Sequence, residues 1–349
     1  MRANCGTGEA ALRDEAARCK SCGSARLRLR YRLRPYDVYA CDACTIWFRH
    51  PLPDERELTA MYEDARYHES AYFQNAQPGY RRRAPEVRIY RRALADLDRL
   101  ARGSEGEDRA ADLDRLARGS EGGLAVRGQL ASGSESGGAS RGAGTVGRRL
   151  LDVGCGPGVF LDLAREAGWE VEGVELSARH AAHARTTFGL DVWQGDFLAA
   201  PFAPGSFAAV TMWDFLEHVL DPRAVLAQAR RLLAPEGLLL VFTIDCTSLF
   251  NTTAGVLHRA SGGRAVRPLE LLYDARHNYY FTPPALARLI EAAGFRIERW
   301  RADRAYLGRW LAEPAPWYLV AGGFVLDLVS VAVGRPYRRT ALCSRVGDA

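Results

Sequence analysis

Lysine is nearly absent from this chain: of its 47 Lys and Arg residues, only Lys20 is a lysine. The arginine bias follows as readily from a GC-rich coding sequence as from function, and a formal charge of +5 is modest for 349 residues. Bulk charge therefore lends little support to a nucleic-acid partner. Long apolar runs are missing too. The opening MRANCGTGEAALRDEAAR contains none, so no secretory signal is expected and cytoplasm is the expected compartment. The most apolar segment, residues 317–333, carries Asp327 inside it and falls short of the roughly 20 residues that cross a bilayer. It is expected as a buried or interface-facing helix, with peripheral membrane contact as its alternative and no spanning segment. What the chain does have is 48% hydrophobic residues, enough for one large core and a smaller one.

Cysteine is the other informative element. Four of the eight cysteines stand in two tight pairs, Cys19 with Cys22 and Cys41 with Cys44, with eighteen residues between the pairs. Two such knuckles can deliver four thiolates tetrahedrally to Zn²⁺, and the intervening RLRLRYRLRPYDVYA supplies a strand pair beneath them. Disulfides or unrelated buried cysteines are the alternative, which a reducing compartment disfavours. Cys5, Cys155, Cys246 and Cys343 have no such partners and read as structural.

These signals divide the chain. A zinc-ribbon module with a short helix is expected over 15–75 and a basic helix over 76–102, its arginines forming a solvated face or meeting an acidic partner. The string ADLDRLARGSEG occurs at Ala95–Gly106 and again at Ala111–Gly122, and two copies are too few for a solenoid. With the Gly/Ser-rich run after it, residues 103–147 are expected to be a flexible linker.

Over 148–349 short apolar runs alternate with helical periodicity, the pattern of an α/β fold with a doubly wound, mostly parallel seven-stranded sheet. The strands are expected at RLLDVG, EVEGVE, DVWQGD, FAAVTMW, LLLVFTI, FRIERWRA and near TALCSRV. The first runs into Gly154, Gly156 and Gly158, which permit a tight turn and close approach of a ligand at a helix N-terminus. Their G-x-G-x-G spacing is not the G-x-G-x-x-G of a dinucleotide site. The second strand ends in Glu175, whose carboxylate can accept from both hydroxyls of a ribose or stand as an exposed acid.

In this order, LLDVGCGPGVFLDLA, VEGVELS, GDF, EHVLDP, LLAPEGLLLVFTI and HNYYFTPPALARLIEAAGF resemble the class I S-adenosylmethionine (SAM) dependent methyltransferases, of the type 11/23-like kind, over 149 to about 345. CKSC…CDAC…FRHPLPDERELTAMY is similar to the zinc-knuckle extension that precedes this domain in bacterial relatives. The resemblance implies a Rossmann-like sheet, the glycine loop against the methionine part of SAM, Glu175 on the ribose and Asp196 on the adenine amine. Asp152 and Trp213 complete the implied cofactor set. Phe197 packs on the adenine face or in the core.

WDFLEHVLDP follows the fourth strand. On a helix, Asp214, Glu217 and His218 would share one face, beside the methyl donor. His218 is the candidate base if the acceptor is a hydroxyl, with plain packing as its alternative. D-x-x-E-H with the distant His277 also resembles the Glu-x-x-Glu-His plus His pattern that holds Mg²⁺ in small-RNA terminal 2′-O-methyltransferases, and a related pattern of quinone-biosynthesis O-methyltransferases. Catalytic roles are thus expected at His218, Glu217 and His277, with Mg²⁺ at those residues and Asp214 as the sharper variant.

The expected activity is methyl transfer from SAM to a small-molecule or carrier-linked acceptor, with the segment after the fifth strand, CTSLFNTTAGVLHRASGGRAVRPLELLYDARHN, forming the acceptor pocket. Two other readings stand beside it: an RNA methyltransferase docking through the knuckles and the arginine helix, and a non-catalytic module that uses the ribbon for protein contact.

Overall fold

The computed structural model describes residues 18–63, 76, 86–101, 147–305 and 317–347. Cys5 and all of the expected linker but Gly147 lie outside the described residues.

The front of the chain forms a three-stranded antiparallel meander: β1 (Leu27–Arg32), β2 (Asp37–Cys41) and β3 (Trp47–His50). The expected strand pair beneath the cysteines is thus present, with a third strand added. Helix α1 (Glu55–Glu63) starts at a capping box, since Glu57 N donates to Asp54 Oδ1 at 2.7 Å and Asp54 N to Glu57 Oε2 at 3.0 Å, satisfying two orphan donors reciprocally. Helix α2 (Val87–Ala101) buries Val87, Tyr90, Leu94 and Leu97 at three- and four-residue spacing, an apolar stripe that turns Arg88, Arg92 and Arg99 to solvent. That stripe packs on the large sheet, where buried Asp98 pairs with Arg148 and accepts from Trp169 Nε1 at 3.1 Å.

The large sheet has seven strands, in chain order β4 (Arg149–Val153), β5 (Glu170–Glu175), β6 (Asp191–Gln194), β7 (Phe207–Trp213), β8 (Leu233–Ile244), then β10 (Phe295–Asp303) and β11 (Arg338–Arg345). Its spatial order is β10-β11-β8-β7-β4-β5-β6. The five central and β6-side strands run parallel, while β11 lies antiparallel between β8 and β10. Buried on both faces, β4, β7 and β8 read as near-continuous apolar runs. Helices α3 (Val159–Glu166), α4 (Ala178–Phe188) and α5 (Pro222–Leu232) connect them. Chain order reverses between β4 and β7, so a crevice opens beyond their carboxyl ends.

After β8 come α6 (Leu249–Ala260), α7 (Arg267–Leu272), the two-residue β9 (Tyr279–Tyr280) and α8 (Pro283–Ala292); α9 (Trp317–Ala332) precedes β11. β9 does not join the large sheet. It pairs with β3, Trp47 opposite Tyr280 and Phe48 opposite Tyr279, so the ribbon's sheet ends on a strand from the far half of the chain. Tyr39, Phe48, Tyr279 and Phe281 join the core under β7 and β8. Cys155, Cys246 and Cys343 are buried in these cores, as structural cysteines should be.

Candidate active site

One cavity of about 890 Å³ occupies the crevice. At its β4 end the chain turns through Gly154, Gly156 and Gly158 with φ of 71°, 53° and 89°. Gly154 and Gly156 line the cavity, and a Cβ on Gly154 would stand 2.5 Å from the Phe215 ring. Gly158 instead presses on α4, where a Cβ would meet Leu190 at 2.6 Å and Ala184 at 2.9 Å. Glu175 is buried at the end of β5. Its Oε2 accepts from Gly156 N and its Oε1 from Ser177 N, both at 2.8 Å, which fixes the carboxylate in the cavity wall. Asp196 is exposed on the rim and caps the following turn through Leu198 N at 3.2 Å, while Phe197 beside it is buried in the wall.

Asp152 lies beneath this loop, wholly buried, and accepts from the Thr211 hydroxyl at 2.6 Å. Burial pushes its pKa up to about 8 against that hydrogen bond, with the Glu175 charge adding to the rise. Trp213 forms the cavity floor in an aromatic group, its ring centroid 4.6 Å from Tyr90, 5.0 Å from Phe160 and 5.1 Å from Phe242.

The stretch expected as a helix after β7 is a turn; the helix begins only at Pro222, capped by Asp221. Asp214 takes a φ of 47°, a left-handed conformation that breaks the path out of the strand. Asp214 consequently parts from Glu217 and His218. Asp214 pairs with Arg338 of β11 and does not join the cation group expected of it. Glu217 points inward, wholly buried; its Oε2 accepts from Thr243 at 2.9 Å and its Oε1 has no protein partner. Burial, then the nearby Asp214 charge, raises its pKa to about 8. His218 lines the cavity, its Nδ1 3.0 Å from the Arg276 carbonyl, and burial pushes its pKa down to about 4. That contact assigns the proton to Nδ1.

His277 completes the cluster. Its ring centroid is 4.7 Å from that of His218, its Nδ1 is buried with no hydrogen-bond partner, and burial together with His218 holds its pKa well down. Ligand atoms of Glu217, His218 and His277 lie within 4.8 Å of one another, and an orphaned carboxylate oxygen with two neutral imidazoles is a donor set that suits a divalent cation. Main-chain bonds hold the group. Asn278 N and Tyr279 N donate to the Glu217 carbonyl at 2.8 and 3.0 Å, and Asn278 Nδ2 to the His218 carbonyl at 2.6 Å. Arg276, Tyr337 and Arg338 also line the cavity and were not among the expected site residues. Arg276 adjoins the quoted HNYYF string, whereas nothing local marks Arg338.

The four ribbon cysteines converge as expected, with all four sulfurs within 4.8 Å. Cys19 and Cys44 are 3.5 Å apart and Cys22 and Cys41 3.6 Å apart, close to the roughly 3.8 Å edge of a tetrahedron with 2.3 Å Zn–S bonds. The two knuckles repeat one backbone device. Gly23 N donates to Cys19 O at 2.8 Å and Thr45 N to Cys41 O at 2.9 Å, and both residues are left-handed, at φ 72° and 61°. The hydrogen bond between Cys19 and Cys44 draws the Cys44 pKa down to about 5 and holds that of Cys19 well up, while burial raises that of Cys22; it is the convergence of four sulfurs at tetrahedral spacing that fits zinc.

The family described as a methyltransferase domain matches residues 91–299, more than half of the 349-residue chain. A protein of Thiobacillus denitrificans named ubiquinone biosynthesis O-methyltransferase is 30% identical over 44% of this chain and 66% of its own length. One of the same name from Aromatoleum aromaticum is 33% identical over 44% of this chain and 65% of its own. The chain thus spans just under two thirds of the length of these relatives. Among solved structures, a Thermotoga maritima SAM-dependent methyltransferase described as a possible histamine N-methyltransferase aligns at 22% identity and a TM-score of 0.39, over 56% of this chain and 82% of that one.

Proposed function

The chain belongs to the methyltransferase-domain family, and on that premise we propose that it moves the methyl group of SAM to a hydroxyl of a small-molecule or carrier-linked acceptor. The observation that carries this reading is the single cavity that joins the glycine loop, Glu175 and Asp196 at one end to His218, His277 and Arg276 at the other. SAM supplies an electrophilic methyl on a sulfonium, so the protein's task is alignment and, for an oxygen nucleophile, disposal of one proton.

At the donor end, the Gly154 and Gly156 backbone approaches the methionine part, Glu175 accepts from the ribose hydroxyls, Asp196 accepts from the adenine amine and Phe197 covers the adenine face. Trp213 bounds the space where the methyl would face the acceptor. At the other end, His218 is neutral and presents Nε2, the atom that takes the hydroxyl proton. The relatives named O-methyltransferases support oxygen as the accepting atom. Glu217, His218 and His277 would hold a divalent cation such as Mg²⁺, which supplies a lowered hydroxyl pKa and a fixed acceptor geometry. In that case His218 is a ligand rather than the base, and chelation separates the two roles. Cys19, Cys22, Cys41 and Cys44 would hold a structural Zn²⁺.

The test is incubation of the purified chain with methyl-labelled SAM and cell extract, followed by separation of small-molecule, lipid and RNA fractions. Label in a small-molecule or lipid fraction, absent with His218→Ala, is the expected result. Label confined to RNA, or none despite measurable SAM binding, would overturn it.

A further inference from the structure

Helix α9 is amphipathic the wrong way round. Asp327 and Ser330 are wholly buried, while Phe324, Val325, Leu328 and Val329 are 49%, 63%, 62% and 42% exposed. The inward polar groups are satisfied. Asp327 accepts from Arg304 Nε at 2.6 Å and from Ala305 N at 2.8 Å, and Ser330 Oγ donates to the Asp327 carbonyl at 2.7 Å. The buried carboxylate thus anchors the helix, and its outward stripe, at the four-residue spacing of one helix face, carries no charge. Helix α6 packs beside it and exposes Val256 and Leu257 by about half. Apolar surface concentrated in this way marks a contact.

Charge narrows the choice of partner. Residues 249–272, which include α6 and α7, contain Arg259, Arg264 and Arg267 against one exposed acid, Glu270, which pairs with Arg267 at 3.7 Å; 317–336 adds Arg335, and its one acid is the buried Asp327. Arg259, Arg264, Arg267 and Arg335 are all exposed. A second copy meeting this face about a two-fold axis would set arginine rim against arginine rim, whereas an anionic surface complements it. The helix cannot cross a bilayer: its 16 residues span about 24 Å against a hydrocarbon core of roughly 30 Å, and none of the described helices is long and apolar enough to do so. Lying in the interface is the geometry left to it.

We propose that the outward face of α9, with Val256 and Leu257 of α6 and the surrounding arginines, docks on the headgroup and upper acyl layer of an anionic lipid bilayer. The placement has a consequence for the cavity. Arg267, Glu270 and Leu271 of α7 line it, as do Tyr337 and Arg338 a short turn beyond α9, so a docked membrane would lie against the acceptor end.

The test is co-sedimentation of the full chain, without SAM, with phosphatidylglycerol-containing vesicles and with pure phosphatidylcholine vesicles, at low and high salt. Leaving SAM out separates a failure here from a failure of the methyl-transfer reading. Binding to the anionic vesicles, weakened by salt, is expected. It should fall about tenfold or more in Val325→Asp/Leu328→Asp, and Arg259→Glu/Arg264→Glu should lose the anionic preference. Melting curves check folding, and the wild-type lipid and salt dependence stands even if a variant misfolds. No sedimentation with anionic vesicles, or undiminished sedimentation of a folded Val325→Asp/Leu328→Asp variant, would overturn the proposal. So would a dimer in light scattering that this variant dissolves, which assigns the face to a second copy, or a large loss of melting temperature without lipid binding, which assigns it to the chain itself.

Discussion

The imidazoles of His218 and His277 meet with centroids 4.7 Å apart and planes at 69°, although α6 and α7 lie between them in the chain. The contact is not left to the side chains. Asn278 and Tyr279 are bonded to the Glu217 carbonyl on one side, and Arg49 N of β3 donates to the Asn278 carbonyl at 3.0 Å on the other. The His277 loop is therefore clamped between the β7 turn and the ribbon, which ties the acceptor end to the ribbon.

His218→Ala should leave SAM affinity nearly unchanged, because the residues proposed to hold the ribose and adenine, Glu175 and Asp196, stand at and just after the ends of β5 and β6. If the imidazole is the base, turnover should fall by about 10²-fold or more. Calorimetry for SAM and single-turnover rates check the two halves separately. An equal loss in both would place His218 on the donor side.

His277→Ala discriminates the cation. With a divalent ion at Glu217, His218 and His277, a chelator should reproduce the His277→Ala defect in the wild type, and added Mg²⁺ or Mn²⁺ should restore only the chelated wild type. Undiminished activity in chelator would leave His218 as base and His277 as its packing partner.

The local features of this molecule were readable in its sequence. The glycine turn, the strand-end acid at Glu175 and the two knuckles each depend on residues within a few positions of one another, and all seven strands of the large sheet fall where their apolar runs stand. The turn after β7 was not readable as one. An acid, an acid and a histidine at three- and four-residue spacing look alike in a helix and in a single turn, and only the left-handed Asp214 and the late start at Pro222 separate the two. Pairing at a distance left no trace either. Two tyrosines at β9 are too short a strand to show alternation, and Arg338 reaches Asp214 from the last strand of the sheet. In α2 the conspicuous arginines drew attention from the apolar stripe that packs the helix on that sheet.

Asp152 gives a pH prediction. Its folded pKa of about 8 stands above the roughly 3.9 of an unfolded chain, so between those values the folded state keeps a proton that the unfolded state has lost. Stability from this group is complete below about pH 4 and is lost as pH rises through about 8. Asp152→Asn has no proton to lose. Its melting temperature relative to wild type should rise between about pH 5 and about pH 9; a constant gap would show that Asp152 titrates normally. His218 and Glu217 titrate in both proteins and cancel.

Glu175→Ala should cost SAM binding at least 10²-fold. The carboxylate orders the donor loop through Gly156 N and Ser177 N and is the acceptor assigned to the ribose, and charge-assisted bonds of this kind are each worth about 1.5–3 kcal/mol. Glu175→Gln keeps one acceptor and should lose less. Calorimetric affinity unchanged in the alanine variant would remove Glu175 from the donor site.

The ribbon prediction follows from the clamp on His277. One Zn²⁺ per chain is expected by elemental analysis, lost in Cys41→Ser, because a set lacking one thiolate no longer closes the tetrahedron and zinc binding is folding energy for so small a module. Cys41 is also the last residue of β2, which pairs with β3, and β3 pairs with β9 and donates to Asn278 through Arg49. Arg288 of α8 adds a tie, donating to Cys44 O at 2.9 Å. Metal loss should therefore raise amide hydrogen exchange in the knuckles and also at Tyr280, opposite Trp47, while Tyr279, whose amide donates to the Glu217 carbonyl, and the central amides of β4 and β7, paired within the large sheet, stay protected. The turnover defect should then resemble that of His277→Ala, with SAM affinity retained. Zinc loss that leaves exchange at Tyr280 unchanged would show that β9 holds the acceptor loop without the ribbon.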